Sequence, residues 1–270
     1  MDSVAKIVVF TAWIIGASLG IAAEELPSKP VTLEDVAAGR ARIIDLTYPL
    51  NAENAFWPGE NYSPFKLHTI ATLERDGVLS KAFSSPEHLG THLDAPSHFA
   101  KNQISVDQIK PQDLFGPGVV IDVASRASDD PDFLLAVEHL RAWEAKHGRI
   151  PEGAIVLVNT GWHRYWGNAV RYENKDPRGQ MHFPGFGADA AKWLVDERKV
   201  RGIGIDTMSM DYGLSRDFAV HKIVNGAGRY GLENVANLDQ LPPRGFFLWV
   251  APMKIETGTG GPTRLFAIFR

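Results

Sequence analysis

Six short runs of nearly unbroken apolar residues, most of them fenced by glycine or proline, limit what this chain can fold into. They occupy residues 43–46, 119–123, 155–158, 203–205, 246–250 and 265–269. A strand with one wet face alternates apolar and polar residues, whereas an unbroken run suits a strand covered on both faces. Helical periodicity is rarer. Residues 133–147 place Leu134, Val137 and Leu140 or Trp143 on one stripe and stop before Gly148. Residues 188–199 repeat the pattern with Ala190, Trp193 and Leu194. Thr32, followed by Glu34 and Asp35, marks a further short helix. Strands outnumber helices, which predicts a single α/β domain with a mixed, curved or barrel-like sheet. No Pro/Gly/Ser-rich linker divides residues 32–270, and we assign 42–270 to that one domain.

The N-terminus has its own character. Lys6 precedes an uncharged, mostly apolar run at residues 7–23, which ends in Gly20, Ile21, Ala22 and Ala23 before Glu24 and Glu25. This predicts a signal peptide over residues 1–23, then a linker and short helix over 24–41. The expected destination is the periplasm or the outside of the cell, with no membrane attachment after cleavage. An uncleaved anchor is the alternative, because the run is near the lower limit for spanning a bilayer. The net charge of −4 comes with both signs interspersed and no basic stripe, so nucleic acid is not an expected partner. The chain has no cysteine, which excludes disulfides, thiolate metal sites and a cysteine nucleophile.

Two motif matches carry little. Gly16-Ala17-Ser18-Leu19-Gly20 fits G-x-S-x-G but lies inside the expected signal peptide, without the strand–turn–helix context that pattern needs. Gly226-Ala227-Gly228-Arg229-Tyr230-Gly231 fits G-x-G-x-x-G, but residues 221–225 make a poor central strand before it. We read it as a turn-rich loop.

The segment from Pro86 to Phe99 is different. His88, His92 and His98, three of the nine histidines, fall within eleven positions, with Asp94 among them. Pro86, Gly90 and Pro96 disfavour a helix interior. On a strand, His92 and Asp94 at i, i+2 point the same way, and a bend at Gly90 could bring His88 round to join them. Two imidazoles and a carboxylate make half a site for a borderline divalent ion such as zinc or manganese. His98, four residues on, could lie beside the ion and move protons, since its unperturbed pKa is near neutral.

His88-x-Gly90-Thr91-His92-x-Asp94-Ala95-Pro96-x-His98 resembles the signature of the cyclase superfamily of metal-dependent hydrolases, which includes bacterial kynurenine formamidases and isatin hydrolases. Phe56-Trp57-Pro58-Gly59 is similar to its substrate loop. Asp206 to Asp211, then His221, then Gly231-Leu232-Glu233-Asn234, resemble its second metal-ligand region, and Pro252 to Ile255 and Gly260 to Ile268 its closing strands. The resemblance implies that His88, His92 and Asp94 bind a first ion. Asp94 would bridge to a second, also held by His221 and Glu233. It implies His98 as the proton-transfer residue, Trp57 packed on an aromatic or planar substrate, a swivelling β/β/α-type fold, and a homo-oligomer, dimer or tetramer. Isatin hydrolases resemble single-metal enzymes in which the glutamate has changed. Glu233 is present here, so one or two ions per subunit, zinc or manganese, are both allowed.

The expected chemistry is hydrolysis of an amide by metal-activated water. Arylformamidase activity on an N-formyl substrate is the family default, with isatin or another cyclic amide, or a lactone, next. The rival from another class is a non-catalytic periplasmic protein that binds a metal or small molecule. His98 together with the His221/Glu233 pair favours an enzyme, because a binder needs no proton shuttle. Trp162 and His182 sit in aromatic clusters and are candidate substrate contacts, though core packing or an oligomer contact fits them equally well. Asp206 and Ser209 could orient metal ligands from behind.

Overall fold

Each of the six apolar runs lies in a strand or runs one residue past its end. In the computed structural model, which describes residues 31–59 and 62–270, the elements follow one another as α1 (Leu33–Ala37), β1 (Arg42–Asp45), β2 (Lys66–Ala71), α2 (Leu73–Asp76), β3 (Ser80–Ser84), β4 (His92–Asp94), β5 (Phe115–Asp122), α3 (Ala124–Asp129), β6 (Leu134–Leu135), α4 (Val137–His147), β7 (Ile155–Asn159), α5 (Ala169–Glu173), β8 (Gly185–Phe186), α6 (Ala188–Arg198), β9 (Gly202–Ile205), α7 (Ala219–Gly226), β10 (Tyr230–Glu233), β11 (Arg244–Pro252) and β12 (Gly260–Phe269). The expected signal peptide and the motif at residues 16–20 lie outside the described residues. No described helix is long and apolar enough to cross a membrane.

Eight strands form one sheet in the order β1-β12-β11-β5-β7-β9-β10-β4. β5, β7, β9 and β10 run parallel, and the remaining pairs are antiparallel. β12 pairs with β11 along its body and with β4 at Gly260, Gly261 and Pro262, which closes the sheet into a barrel. The fold is mixed α/β with a curved, closed sheet, as the apolar runs imply.

The runs in β5, β7 and β9 are unbroken because both faces of those strands are covered, whereas β1 and β11 leave Ile43 and Trp249 exposed. Val119, Ile121, Val156 and Val158 pack outward under Leu140, Leu194, Val220 and Val224 of α4, α6 and α7. Their neighbours Val120, Ile155 and Leu157 point inward to Leu93, Leu232, Leu248 and Leu265. Burying each such side chain is worth roughly 1.5–3 kcal/mol. Arg198 of α6 grips Glu144 of α4 with two bonds of 2.6 and 2.7 Å, and this guanidinium holds the Glu144 carboxyl below its usual range.

Two readings need correction. The helix expected over 133–147 begins only at Val137. Leu134 and Leu135 instead pair in parallel with Gly185 and Phe186, burying Leu135 completely. Residues 221–225 lie in α7, and Gly226 to Gly231 lead from that helix into β10, with Gly228 at φ +69°. A helix therefore precedes the G-x-G-x-x-G match where a dinucleotide site needs a strand.

β2 and β3 pair only with each other. This ribbon exposes Leu67, Ile70 and Phe83, and the turn between its strands exposes Leu73, Val78 and Leu79.

Candidate active site

β4 is the centre of the site. Its pleat sends Leu93 into the barrel core and His92 and Asp94 the other way. β10 sets Glu233 opposite His92 and Gly231 opposite Asp94, while β12 sets Gly260 opposite Asp94 on the other flank. Gly90 has φ +64°, a left-handed bend suited to glycine, and it turns His88 back beside Asp94. Gly260 leaves room for that ring: a Cβ there would come within 2.6 Å of His88 Cε1. α7 brings His221 in from the facing side, 3.3 Å from Asp94 and 3.1 Å from Glu233.

Each of the three imidazoles is held from behind by one nitrogen and presents the other inward. His92 Nδ1 donates to Gly90 O at 2.9 Å. His221 Nδ1 donates to Asp211 Oδ2 at 2.6 Å, and Asp211 also accepts the main-chain N–H groups of Val220 and His221 at the start of α7. His88 Nε2 donates to Thr259 Oγ1 at 3.0 Å, whose own proton goes to Glu87 at 2.6 Å. Partners of this kind set the tautomer and aim of metal-binding histidines.

In the neutral rings, three bare nitrogens therefore face two carboxylates. His88 Nδ1 is 2.6 Å from Asp94 Oδ1, and His92 Nε2 is 3.2 Å from Asp94 Oδ1 and 3.4 Å from Glu233 Oε2. Acceptors this close need positive charge among them, supplied by protons on the rings or by a cation that takes their place. His92 Nε2 and Asp94 Oδ2 are buried and have no hydrogen-bond partner. Ligands about 2.1 Å from a tetrahedral ion lie about 3.4 Å from one another, so separations of 3.1–3.4 Å suit a shared ion. The donor atoms form two trios, His88/His92/Asp94 and Asp94/His221/Glu233, and Asp94 belongs to both. These residues fit a metal ion.

The same charge imbalance sets the proton affinities. Burial alone would lower His92, but Asp94 and Glu233 override it and hold the ring up at about 10. His221 lies well above its ordinary value despite burial, because Asp211 accepts from it and the carboxylates of Asp94 and Glu233 lie close beside it. Burial would raise Asp94, yet the histidines around it keep its carboxyl well below the usual range.

His98 ends the short turn Pro96–His98 and stacks on His88, with ring centroids 3.9 Å apart. Burial pushes it down to about 4, so it is neutral at physiological pH. It opens, with His88, His92, His221 and Glu233, on a cavity of about 250 Å³. Phe56, Trp57, Tyr62, Phe99, Met208 and Phe218 supply most of the remaining wall, Ala55, Ser209 and Asn234 complete it, and no lysine or arginine lines it among the described residues. Trp57 meets Phe218 edge-on at 5.7 Å, and Phe99 lies 4.5 Å from the His221 ring.

The other two candidate substrate contacts are elsewhere. Trp162 is buried with Ala55, Tyr172, Met181, Phe183 and Met208, and its indole N–H donates to Tyr172 O at 2.9 Å. His182 pairs with Asp132 at 2.8 Å, and neither residue lines the cavity. Asp206 does not orient a ligand either: it accepts from Thr160 and from the His163 main chain, and Asp211 fills that role instead. Ser209 lines the cavity, but its hydroxyl accepts from Asp211 N rather than from a histidine. Sequence reasoning missed the roles of Asp211, Glu87 and Thr259. Only the nearness of Asp211 to His221, and of Glu87 to His88, hinted at them.

Comparison with known proteins agrees with this geometry. The putative cyclase family matches residues 44–212. The isatin hydrolase of Roseibium aggregatum is 32% identical over 246 residues, 86% of this chain and 93% of that protein. The kynurenine formamidase of Bacillus cytotoxicus is 30% identical over 223 residues, 82% of this chain and 94% of that protein. The solved structure of isatin hydrolase A from Ralstonia solanacearum matches with a TM-score of 0.83 at 37% identity, covering 91% of this chain and 100% of that one. The chain belongs to the putative cyclase family and is, like the relatives it matches, a metal-dependent hydrolase of carbon–nitrogen bonds outside peptides.

Proposed function

We propose that the chain opens a small, neutral cyclic amide fused to an aromatic ring, an isatin-like substrate. One observation carries this reading: four of the five candidate metal ligands, His88, His92, His221 and Glu233, and a neutral His98 share one cavity with an aromatic wall that offers no cation. N-formylkynurenine brings an amino-acid carboxylate, and such a group would enter this cavity without an arginine or lysine to pair with. A planar neutral ring needs no such partner and packs on Trp57, Phe99 and Phe218.

Asp94 turns Oδ1 toward His88 and His92 and Oδ2 toward His221, so His88 and His92 would hold one ion and His221 and Glu233 a second, with Asp94 placed to serve both. Zinc and manganese both accept this donor set. Such an ion, when bound, supplies a lowered pKa for water and a polarised carbonyl. His98 accepts the proton of the attacking water and returns it to the leaving nitrogen as the carbon–oxygen bond forms and the carbon–nitrogen bond breaks. The aromatic wall holds the ring so that its carbonyl carbon faces that water.

The test is turnover of isatin, N-formylkynurenine and a dienelactone, with and without chelator, alongside elemental analysis. Isatin should be the best substrate, and chelator should abolish its hydrolysis. Faster turnover of N-formylkynurenine would make this a formamidase. A metal-bearing protein that turns over none of the three would favour the non-catalytic binder.

We also propose that the chain is exported, on the evidence of Lys6 and the apolar run at residues 7–23. N-terminal sequencing of the protein from its native cell should begin near Glu24, and an intact Met1 would sink the idea.

A further inference from the structure

We infer that Asn234 is a positioning residue that ties the two halves of the metal centre together, acting on His92 through the Gly90 carbonyl. The inference rests on the metal-centre reading above. Asn234 directly follows Glu233 and is 3% exposed. Its backbone takes φ +52°, the left-handed region that asparagine enters more readily than most residues.

Every polar group of Asn234 has a partner. Its N–H donates to Thr207 O at 2.9 Å, and its carbonyl accepts the Thr91 hydroxyl at 2.7 Å. Its side-chain Nδ2 donates to Gly90 O at 2.9 Å, and its Oδ1 shares the single Tyr172 hydroxyl hydrogen with Asp206 O, each acceptor 2.8 Å away. The orientation of the amide is fixed by chemistry: Gly90 O can only accept, so the NH₂ end must face it.

Gly90 O thus receives two hydrogens, one from Asn234 and one from His92 Nδ1, each at 2.9 Å. The second of these leaves His92 Nε2 bare and aimed at Asp94 and Glu233. Asn234 holds the carbonyl that directs His92 on β4, and its main chain is bonded to Glu233 on β10. A shift of Asn234 would therefore move donors of both trios at once. Tyr172, buried beneath the site, steadies the amide from the far side.

Two substitutions test this. Asn234→Asp keeps the size but sets a carboxylate oxygen against Gly90 O. Asn234→Gly removes the side chain at a φ that glycine adopts freely, which separates the hydrogen bonds from backbone strain. Co²⁺ alone is titrated into metal-free protein, and its affinity and visible absorption are read beside the melting temperature of the metal-free protein. Both variants should bind Co²⁺ about 10–100-fold more weakly, with altered absorption and near wild-type metal-free melting. If Asn234→Asp does not fold, Asn234→Gly carries the test alone. Wild-type affinity and absorption would overturn the inference. A matching loss of metal-free melting temperature would overturn it too, by making Asn234 a merely structural residue. A wild-type protein that fails to bind Co²⁺ would remove the metal centre itself, a distinct outcome.

Discussion

His98 differs from the three other histidines of the cavity in having no carboxylate partner. His88, His92 and His221 each lie within 3.3 Å of Asp94, whereas His98 rests against the face of His88. Removing its ring should spare the metal donors. His98→Ala is expected to keep the wild-type metal content and lose about a hundredfold or more in turnover. Loss of metal in that variant would make His98 a ligand. A second prediction concerns protons. His92, held at about 10, and His221, held well above its ordinary value, are protonated at pH 7 in the ion-free protein. A metal ion must displace those protons, so binding releases them and affinity falls as the pH drops, by about tenfold per unit for each proton released. Calorimetry in buffers of different protonation enthalpy counts the protons, and a count of zero would contradict this electrostatic picture. The first ligand trio was legible from sequence because it is local: i, i+2 alternation and one glycine bend suffice. Asn234, Thr259 and Asp211 act across long stretches of chain or through a turn, and spacing alone does not reveal such contacts.

Among the elements, the strands buried on both faces were the readable ones, since continuous apolar runs have few other uses in a chain of this composition. β10 was not, because it is four residues long and ends in a polar ligand, and three-residue β4 was legible only as the extended backbone that sets His92 and Asp94 on one side. α7 was hidden by its β-branched content, although Val220, Ile223 and Val224 have helical spacing and pack on the outer core. The start of α7 depends on Asp211, which serves two purposes there. Its carboxylate accepts the N–H groups of Val220 and His221, doing the work of a cap, and it fixes the His221 ring. Asp211→Asn cannot accept from Nδ1 through its NH₂ end. It should weaken metal binding about 10–100-fold and cost about 1–3 kcal/mol of stability. Thermal melting and metal titration read the two effects separately, and a variant unchanged in both would refute the dual role.

At the scale of the molecule, the β2–β3 ribbon is the part left unexplained by the barrel. A two-stranded hairpin is marginal by itself, and this one carries exposed Leu67, Ile70 and Phe83. Leu67 and Phe83 are cross-strand partners, so they share one face. Apolar surface of this kind calls for cover, and we propose that a second copy of the chain supplies it. Light scattering should find a dimer or larger assembly, which Leu67→Glu combined with Phe83→Glu shifts toward monomer without loss of bound metal. A wild-type protein that is monomeric at micromolar concentration would end that proposal.

The closing contact between β4 and β12 has a consequence for when the centre can exist. β12 is the last described strand to leave the ribosome, and until it arrives β4 lacks one of its two flanks and His88 lacks Thr259 behind it. A half-made polypeptide carries the histidines but not their cradle. A metal ion is therefore captured only as folding finishes, and the ions present at that moment, rather than those met during synthesis, decide which one the finished enzyme carries.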